Sequence, residues 1–130
     1  MHELTVEWVE KAENDYRTAV AVLEEIAEPI VDTASFHCQQ CAEKYLKAYL
    51  TEYQVEFARQ HALIPLLELC MQVDETFLPL LADLRTLEGY AVAVRYPGAS
   101  LTLAMAKAAL SSAATVRTFI RKKLGLPPSK

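Results

Sequence analysis

Hydrophobic positions recur every three or four residues along most of this chain, the spacing at which side chains share one face of an α-helix. We interpret the stretch 34–53 as the central helix, around which the rest is organised. On helical geometry its apolar side chains form one sector: Ala34, Cys38, Cys41, Ala42, Tyr45, Leu46, Tyr49 and Tyr53. We predict that this helix buries the sector inside a bundle.

The other sides of the predicted helix are polar or mixed. The side opposite the apolar sector carries His37, Gln40, Lys44, Lys47 and Thr51. A seam between the two sides alternates polar and apolar residues: Phe36, Gln39, Glu43 and Leu50. Such a seam suits a protein contact. The alternative is that Glu43 and Lys47, four residues apart, make an ordinary surface ion pair that stabilises the helix by a few tenths of a kcal/mol.

The same spacing predicts further helices over 5–27, 61–71, 75–94 and 100–124. Pro29 ends the first of these, Asp32 or Thr33 can cap the central helix, and Pro65 falls in a first turn, where its missing N–H is harmless. The predicted fold class is all-α: an antiparallel up-and-down four-helix bundle with one short extra helix. We expect a single domain over residues 1–130, with its core over about 5–124 and a short tail over 125–130.

Composition and charge narrow the class of protein. Hydrophobic residues make up 52% of the 130 residues and glycine only 3 positions, which favours a compact helical domain. No apolar run approaches the roughly 18 residues of a membrane span, and the first residues do not resemble a signal peptide, so we expect a cytoplasmic protein. Residues 1–56 hold 4 basic and 12 acidic side chains, whereas residues 57–130 hold 9 basic and 5 acidic side chains. Basic residues at the end of the last helix either contact nucleic acid or complement the helix C-terminus: Arg117, Arg121, Lys122, Lys123 and Lys130.

Two local features are candidates for a binding site. Asp15 lies at the edge of the first apolar stripe, so its carboxylate should be partly buried and need a partner. Arg95 precedes the turn Tyr96-Pro97-Gly98, and an arginine beside a turn and a following helix N-terminus can surround a phosphate with N–H groups. We take Arg95 as the candidate anion site. The alternative is that Arg95 pairs with Asp15 or Glu43 across the bundle and fixes the turn.

The three cysteines do not indicate a metal or redox site. Cys38 and Cys41 have CxxC spacing, but Cys70 is remote and no second ligand pair completes a zinc pattern. An odd number of cysteines, two of them inside a predicted helix, also disfavours a disulfide framework. We expect three small buried residues, no metal and no cofactor.

Four segments, taken in order, resemble the HEPN domain family. The central helix supplies the phrase Phe36-His37-Cys38-Gln39-Gln40-Cys41-Ala42-Glu43-Lys44, followed by Leu46-Lys47-Ala48. The first helix supplies Ala12-Glu13-Asn14-Asp15-Tyr16 with Ala19, and two later segments are Gln60-His61-Ala62-Leu63 and Arg95-Tyr96-Pro97-Gly98. Their order and separations fit the family over about residues 5–123.

The resemblance implies a homodimer and one of two activities. Many HEPN domains are metal-independent ribonucleases whose motif is an Arg followed, after four to six residues, by a His. In this chain Ser100, Leu101 and Thr102 stand at those positions after Arg95, and no other arginine has such a His. The usual general acid/base is therefore missing, and the catalytic residues stay open, with Arg95 and His61 as candidates.

Because the ribonuclease motif is absent, we expect the family's other role. In that role the protein is the partner of a small nucleotidyltransferase in a prokaryotic toxin–antitoxin-like pair. On this interpretation the protein need not be an enzyme. It binds the phosphate of a nucleotide or RNA through Arg95, Lys44 and Lys47, and the supporting residues are Asp15, Glu43 and Tyr96. The alternatives are a ribonuclease with a displaced motif and a purely structural dimerisation module.

Overall fold

The computed structural model describes residues 1–59, 61–94 and 97–128. Within these residues it contains α-helices and one 3₁₀-helix but no strand. The helices are α1 Glu3–Glu24, α2 Val31–Glu52, α3 Leu63–Val73, α4 Leu81–Ala93 and α5 Leu103–Lys123, with the 3₁₀-helix Glu75–Leu80 directly before α4. The predicted all-α bundle, with one short extra helix, is confirmed. Among the described residues, no helix is both long enough and apolar enough to cross a membrane.

α1 and α2 form an antiparallel pair that is fastened at both ends. At one end the backbone N–H of His2 donates to the Glu52 carboxylate at 3.0 Å. At the other end the N–H of Ile30 donates to the Val22 carbonyl at 3.0 Å. Helical spacing predicts an apolar stripe on α1 that consists of Trp8, Ala12, Tyr16, Ala19, Leu23 and Ile26. Ala12, Ala19 and Leu23 are buried, and Trp8 and Tyr16 are half-buried. This pairing brings the polar edge of α1 against the polar side of α2.

The turn between α1 and α2 differs from the prediction. α1 ends at Glu24, and Ile26, which the pattern placed in the buried stripe, is exposed. Neither Asp32 nor Thr33 caps α2, because the helix already begins at Val31. The Asp32 carboxylate instead accepts a hydrogen bond from the N–H of Leu101 at 3.1 Å, which ties the start of α2 to the segment before α5.

α2 is the central helix, as predicted, and it contacts α1, α3, α4 and α5. Its apolar sector is buried from Ala34 to Tyr49. The prediction was wrong for Tyr53, which follows the last helical turn and is exposed. The helical spacing no longer applies where the helix has ended.

The segment predicted as one helix over 75–94 is two elements. Residues Glu75–Leu80 form a 3₁₀-helix that contains Pro79, and the α-helix starts only at Leu81. The ring of Phe77 in the 3₁₀-helix packs against Tyr49 and Phe119, at centroid distances of 4.4 and 5.0 Å. This aromatic cluster joins α2, the 3₁₀-helix and α5 at one end of the bundle.

α3 and α5 have well-defined starts. α3 begins at Leu63, whose N–H donates to the Glu88 carboxylate at 2.7 Å, so Pro65 falls in the first turn as predicted. The Thr102 hydroxyl accepts from the N–H of Met105 at 3.1 Å and caps α5. Gly125, with φ +72°, follows the last helical turn, which is the usual backbone for a glycine at a helix end.

Candidate functional site

Asp15 organises a polar cluster where α1 faces α2. Its side chain is buried, with the residue 7% exposed, and each carboxylate oxygen has its own partner on α2. Oδ1 lies 2.7 Å from His37 Nδ1, and Oδ2 accepts a hydrogen bond from the Lys44 ammonium at 2.6 Å. The prediction that Asp15 is partly buried and has a partner is therefore confirmed. A buried carboxylate with two such partners holds both of them in fixed positions.

The residues around this cluster form an open surface along α2, which we call the α2 strip: Phe36, His37, Gln40 and Lys44. Phe36 is 53% exposed, and its ring meets the His37 ring edge to face at a centroid distance of 5.3 Å. His37, Gln40 and Lys44 are half-buried. Because His37 Nδ1 faces a carboxylate, the ring's proton lies on that nitrogen in the neutral form, and Nε2 presents its lone pair. The strip therefore offers an ammonium, an imidazole, an amide and an aromatic face side by side.

Lys47 and Glu43 do not belong to this open surface. The Lys47 ammonium donates to Glu43 Oε2 at 3.0 Å, and both side chains are buried, with Glu43 only 3% exposed. The rings of Trp8 and Phe57 cover Lys47, with centroids 5.4 and 5.7 Å from its Nζ. The expected ion pair is present, but the expectation that it lies on the surface was wrong. In this geometry Lys47 serves to neutralise Glu43.

His61 completes the Glu43 cluster from the segment before α3. Its Nδ1 lies 3.3 Å from Glu43 Oε2, while 79% of its side chain is exposed. Gln39 donates its side-chain N–H to the His61 carbonyl at 3.0 Å. The segment that precedes α3 is thus held against α2 through Gln39 and Glu43. His61 lies in a different cluster from His37 and Lys44.

The seam proposed as a protein contact is not a continuous surface. Phe36 is exposed, but Gln39 and Glu43 are buried under the segment before α3, and Leu50 is fully buried in the core. The sequence shows that these four positions share one edge of α2. It does not show that another segment of the same chain covers most of that edge.

Arg95 and Tyr96 lie outside the described residues. Their predicted roles, including the alternative pairing of Arg95 with Asp15 or Glu43, stay predictions. In the described residues that follow, Gly98 has a φ of +85°, a conformation that side chains other than glycine rarely adopt. A turn at this point was predicted from the sequence.

A third polar cluster lies on the other side of α1, facing α5. Arg117 donates from Nε and Nη2 to the two carboxylate oxygens of Glu13, both at 2.6 Å, and the Tyr45 hydroxyl donates to Glu13 Oε2. Arg121 donates from Nη1 to the Tyr45 oxygen at 3.2 Å. The guanidinium of Arg117 stacks on the Tyr16 ring with its Cζ 4.5 Å from the centroid. Arg117, the first residue of the basic run near the end of the last helix, is therefore the ion-pair partner of Glu13 inside the bundle.

The three cysteines are fully buried and free. Burial raises the pKa of the Cys38 and Cys70 thiols to about 12 and holds the pKa of Cys41 well above its ordinary value. Their interpretation as small core residues is confirmed. In the part of the chain that the structure describes, no group of three or more His, Cys, Asp or Glu side chains could hold a metal ion.

Sequence reasoning included Asp15 and Lys44 in the candidate site but missed His37 as a member. A signal was available, because His37 and Lys44 are seven residues apart and share one side of a helix. The buried edge position of Asp15 on α1 required a partner, and these two residues were among the polar groups on the facing helix. Sequence alone did not show which edge of α1 meets that side.

The chain belongs to the HEPN domain family: the family's model matches residues 5–123. This match covers α2 to α5 and all but the first two residues of α1, and it bears out the resemblance seen in the sequence. The search of curated proteins finds no match. The search of solved structures finds none either.

Proposed function

We propose that this HEPN-domain protein binds the phosphate of a nucleotide or of single-stranded RNA on the α2 strip. The observation that carries the proposal is the Asp15 carboxylate, which holds Lys44 at 2.6 Å and His37 at 2.7 Å on a surface that solvent reaches. A fixed ammonium needs no reordering before it meets a phosphate oxygen. Lys44 is a compact point charge of the kind that binds phosphate.

The exposed Phe36 supports a ligand that contains a base. Proteins that bind single strands combine cations for the backbone with aromatic rings on which bases stack. Phe36 lies next to His37, whose carboxylate partner also binds Lys44, so an aromatic ring and a cation meet on one strip. In this proposal Lys47 acts indirectly by neutralising Glu43. Arg95 keeps the phosphate-binding role that the sequence predicts for it, and Tyr96 keeps its supporting role.

The biological setting we propose follows from the family. The protein would act as a homodimer and as the cytoplasmic partner of a small nucleotidyltransferase, in a toxin–antitoxin-like pair. A gene for such a nucleotidyltransferase beside this one would support the pairing. Co-purification of the two proteins as one complex would test it, and separate elution at micromolar concentrations would count against it.

The binding test uses purified protein and a labelled single-stranded RNA in EDTA, with retention measured on filters and cleavage measured on gels. The variants are Lys44→Gln and Arg95→Ala, with Lys107→Gln as the matched control, because Lys107 is an exposed cation on α5. We expect retention without cleavage, weakened about tenfold by Lys44→Gln and unchanged by the control. Equal retention by wild type and Lys44→Gln would refute the proposed site.

A metal-independent ribonuclease is the second candidate, and His37 is the observation that favours it. The Arg-to-His spacing of the family motif is absent, but the Asp15–His37 pair provides an oriented imidazole that the spacing rule does not detect. This candidate predicts RNA cleavage in EDTA that is lost in His37→Asn. RNA that stays intact with bound protein excludes it. If RNA is neither retained nor cleaved, the remaining alternative is the purely structural dimerisation module.

A further inference from the structure

A groove of about 1120 Å³ runs between α1 and the end of α5. Its lining comes from the Glu13 side of α1, from the last turns of α5, and from Pro127 and Pro128, which follow α5. The α2 strip lies on the other flank of α1, where Asp15 meets α2. The groove is therefore separate from the surface to which the proposed function is assigned.

One wall of the groove contains a charged pair, Arg117 with Glu13, that neighbouring side chains hold in place. In the two-pronged pair of Arg117 with Glu13, Arg117 is buried, with only 7% exposed, and Glu13 is half-buried. The hydroxyl of Tyr45 donates to Glu13, and the ring of Tyr16 packs against Arg117. Burial raises the pKa of Glu13, but the hydrogen bonds from Arg117 and Tyr45 outweigh it, and the pKa lies below its ordinary value. The carboxylate is thus charged at neutral pH and already occupied by three donors.

The groove has donors left over after this internal pairing. Arg121 uses Nε on the Pro127 carbonyl at 2.9 Å and Nη1 on Tyr45, so its Nη2 has no partner among the described residues. Arg117 Nη1 is likewise without one. Among the buried side-chain N and O atoms of the described residues, only Thr5 Oγ1 lacks a hydrogen bond, so solvent reaches both of these nitrogens. Arg17 also lines the groove and adds a third guanidinium, and the carboxylates of the lining are those of Glu13 and Glu25.

Apart from the polar side chains of Asn14 and Thr18, the rest of the lining is aromatic or apolar. It consists of Tyr16, Val20, Ala21, Pro127 and Pro128. Three guanidinium groups against two carboxylates give the groove one excess positive charge. Small-molecule sites have volumes of roughly 300–1,000 Å³ and are mostly apolar with a few fixed polar groups, so the groove is slightly larger than a typical site.

We infer that this groove binds a planar organic anion: a flat ring that packs on Tyr16 and the two prolines, joined to a phosphate or carboxylate that Arg121 and Arg17 receive. Arginine suits both anions, because its planar fork matches their paired oxygens. Arg117 takes a positioning role, since its pair with Glu13 fixes the wall on which the ring rests.

The test is a titration of the ¹⁵N-labelled full chain, followed by amide chemical shifts, with four probes: AMP, benzoate, adenosine and inorganic phosphate. Binding in the groove should shift the amides of Val20 and Ala21, whereas binding on the α2 strip should shift those of Gln40 and Lys44. We expect AMP or benzoate, or both, to shift the groove amides at millimolar concentration or below. Adenosine and inorganic phosphate, each of which lacks half of the recognised chemistry, should bind at least about tenfold more weakly.

Variants then test which cations receive the anion. Arg121→Gln and Arg17→Gln should each weaken the probe that binds by about tenfold. Arg85→Gln, an exposed arginine on α4, should leave it unchanged. Arg17→Gln is the safer substitution for folding, because the Arg17 side chain donates a local hydrogen bond to Asn14, three residues away on the same helix.

Three results would overturn the inference. These are no shift at Val20 or Ala21 with AMP and with benzoate, equal binding of adenosine and AMP, and binding that survives both arginine substitutions. Failure here leaves the proposed function intact, since that function depends on amides and cations of α2.

Discussion

Replacing Glu13 by Gln should destabilise the protein substantially, because it leaves the buried Arg117 charge without its counter-ion. Glu13 accepts two hydrogen bonds of 2.6 Å from this guanidinium and a third from Tyr45. Breaking a fully buried pair by removing one partner costs about 3–5 kcal/mol. Since the Glu13 side chain keeps 24% exposure, water screens part of this charge, and we expect a loss of about 2–3 kcal/mol.

Urea or thermal unfolding measures this loss. For a domain of this size, 1 kcal/mol corresponds to roughly 3–5 °C in Tm, so the Glu13→Gln variant should melt about 6–15 °C lower. Glu10→Gln is the matched control, because Glu10 is an exposed carboxylate on the same helix, and it should change stability by less than about 0.5 kcal/mol. The double variant Glu13→Gln with Arg117→Met should recover at least about 1 kcal/mol relative to the sum of the singles.

The pH dependence of this loss has a definite sign. The pKa of folded Glu13 is lowered, since hydrogen bonds from Arg117 and Tyr45 overcome the opposing effect of burial. A carboxyl with a lowered folded pKa contributes its stability above the unfolded pKa of about 4.3 and loses it as pH falls through the folded pKa. The difference between wild type and Glu13→Gln should therefore be full at pH 7 and shrink below about pH 4. A single-variant loss under about 0.5 kcal/mol at pH 7 would refute the reasoning.

Two further predictions concern buried groups. Lys47→Met leaves the Glu43 carboxylate buried without its main counter-ion and should lower the free energy of unfolding in urea by about 3 kcal/mol. Adding Glu43→Gln should restore a large part of this stability, whereas additive losses in the double variant would contradict the pairing. Cys38, Cys41 and Cys70 should resist a thiol reagent at pH 8 in the folded protein and react together on unfolding, because burial keeps each pKa far above that pH. Rapid labelling of one thiol under native conditions would show that its site opens.

The helical pattern of the sequence was sufficient for the class of fold. In α2 the apolar sector from Ala34 to Tyr49 is the core, because helical spacing fixes which side chains share a face. The pattern also gave the buried position of Asp15 at the stripe's edge. The ends of the helices were less predictable. The Asp32 carboxylate, for example, accepts a hydrogen bond from the N–H of Leu101 in a distant segment instead of capping its own helix.

The contacts that define the candidate site depend on packing between segments that are far apart in the sequence. Lys47 lies on the polar side of α2, but Trp8 from α1 and Phe57 from the segment before α3 cover it. Arg117 appeared to belong to a basic surface run, yet its partner Glu13 is 104 residues away. Spacing along one helix carries no information about which segment covers it, so exposure was the feature that sequence reasoning predicted least well.

The most direct test of the central claim is to locate phosphate binding on the surface. The ¹⁵N-labelled protein is titrated with a short single-stranded RNA, six uridines long, in EDTA, and amide shifts are compared between wild type and Lys44→Gln. We expect shifts at Gln40 and Lys44 along the α2 strip in the wild type and the loss of these shifts in the variant. Shifts confined to the end of α5, or shifts along α2 that persist in Lys44→Gln, would contradict it.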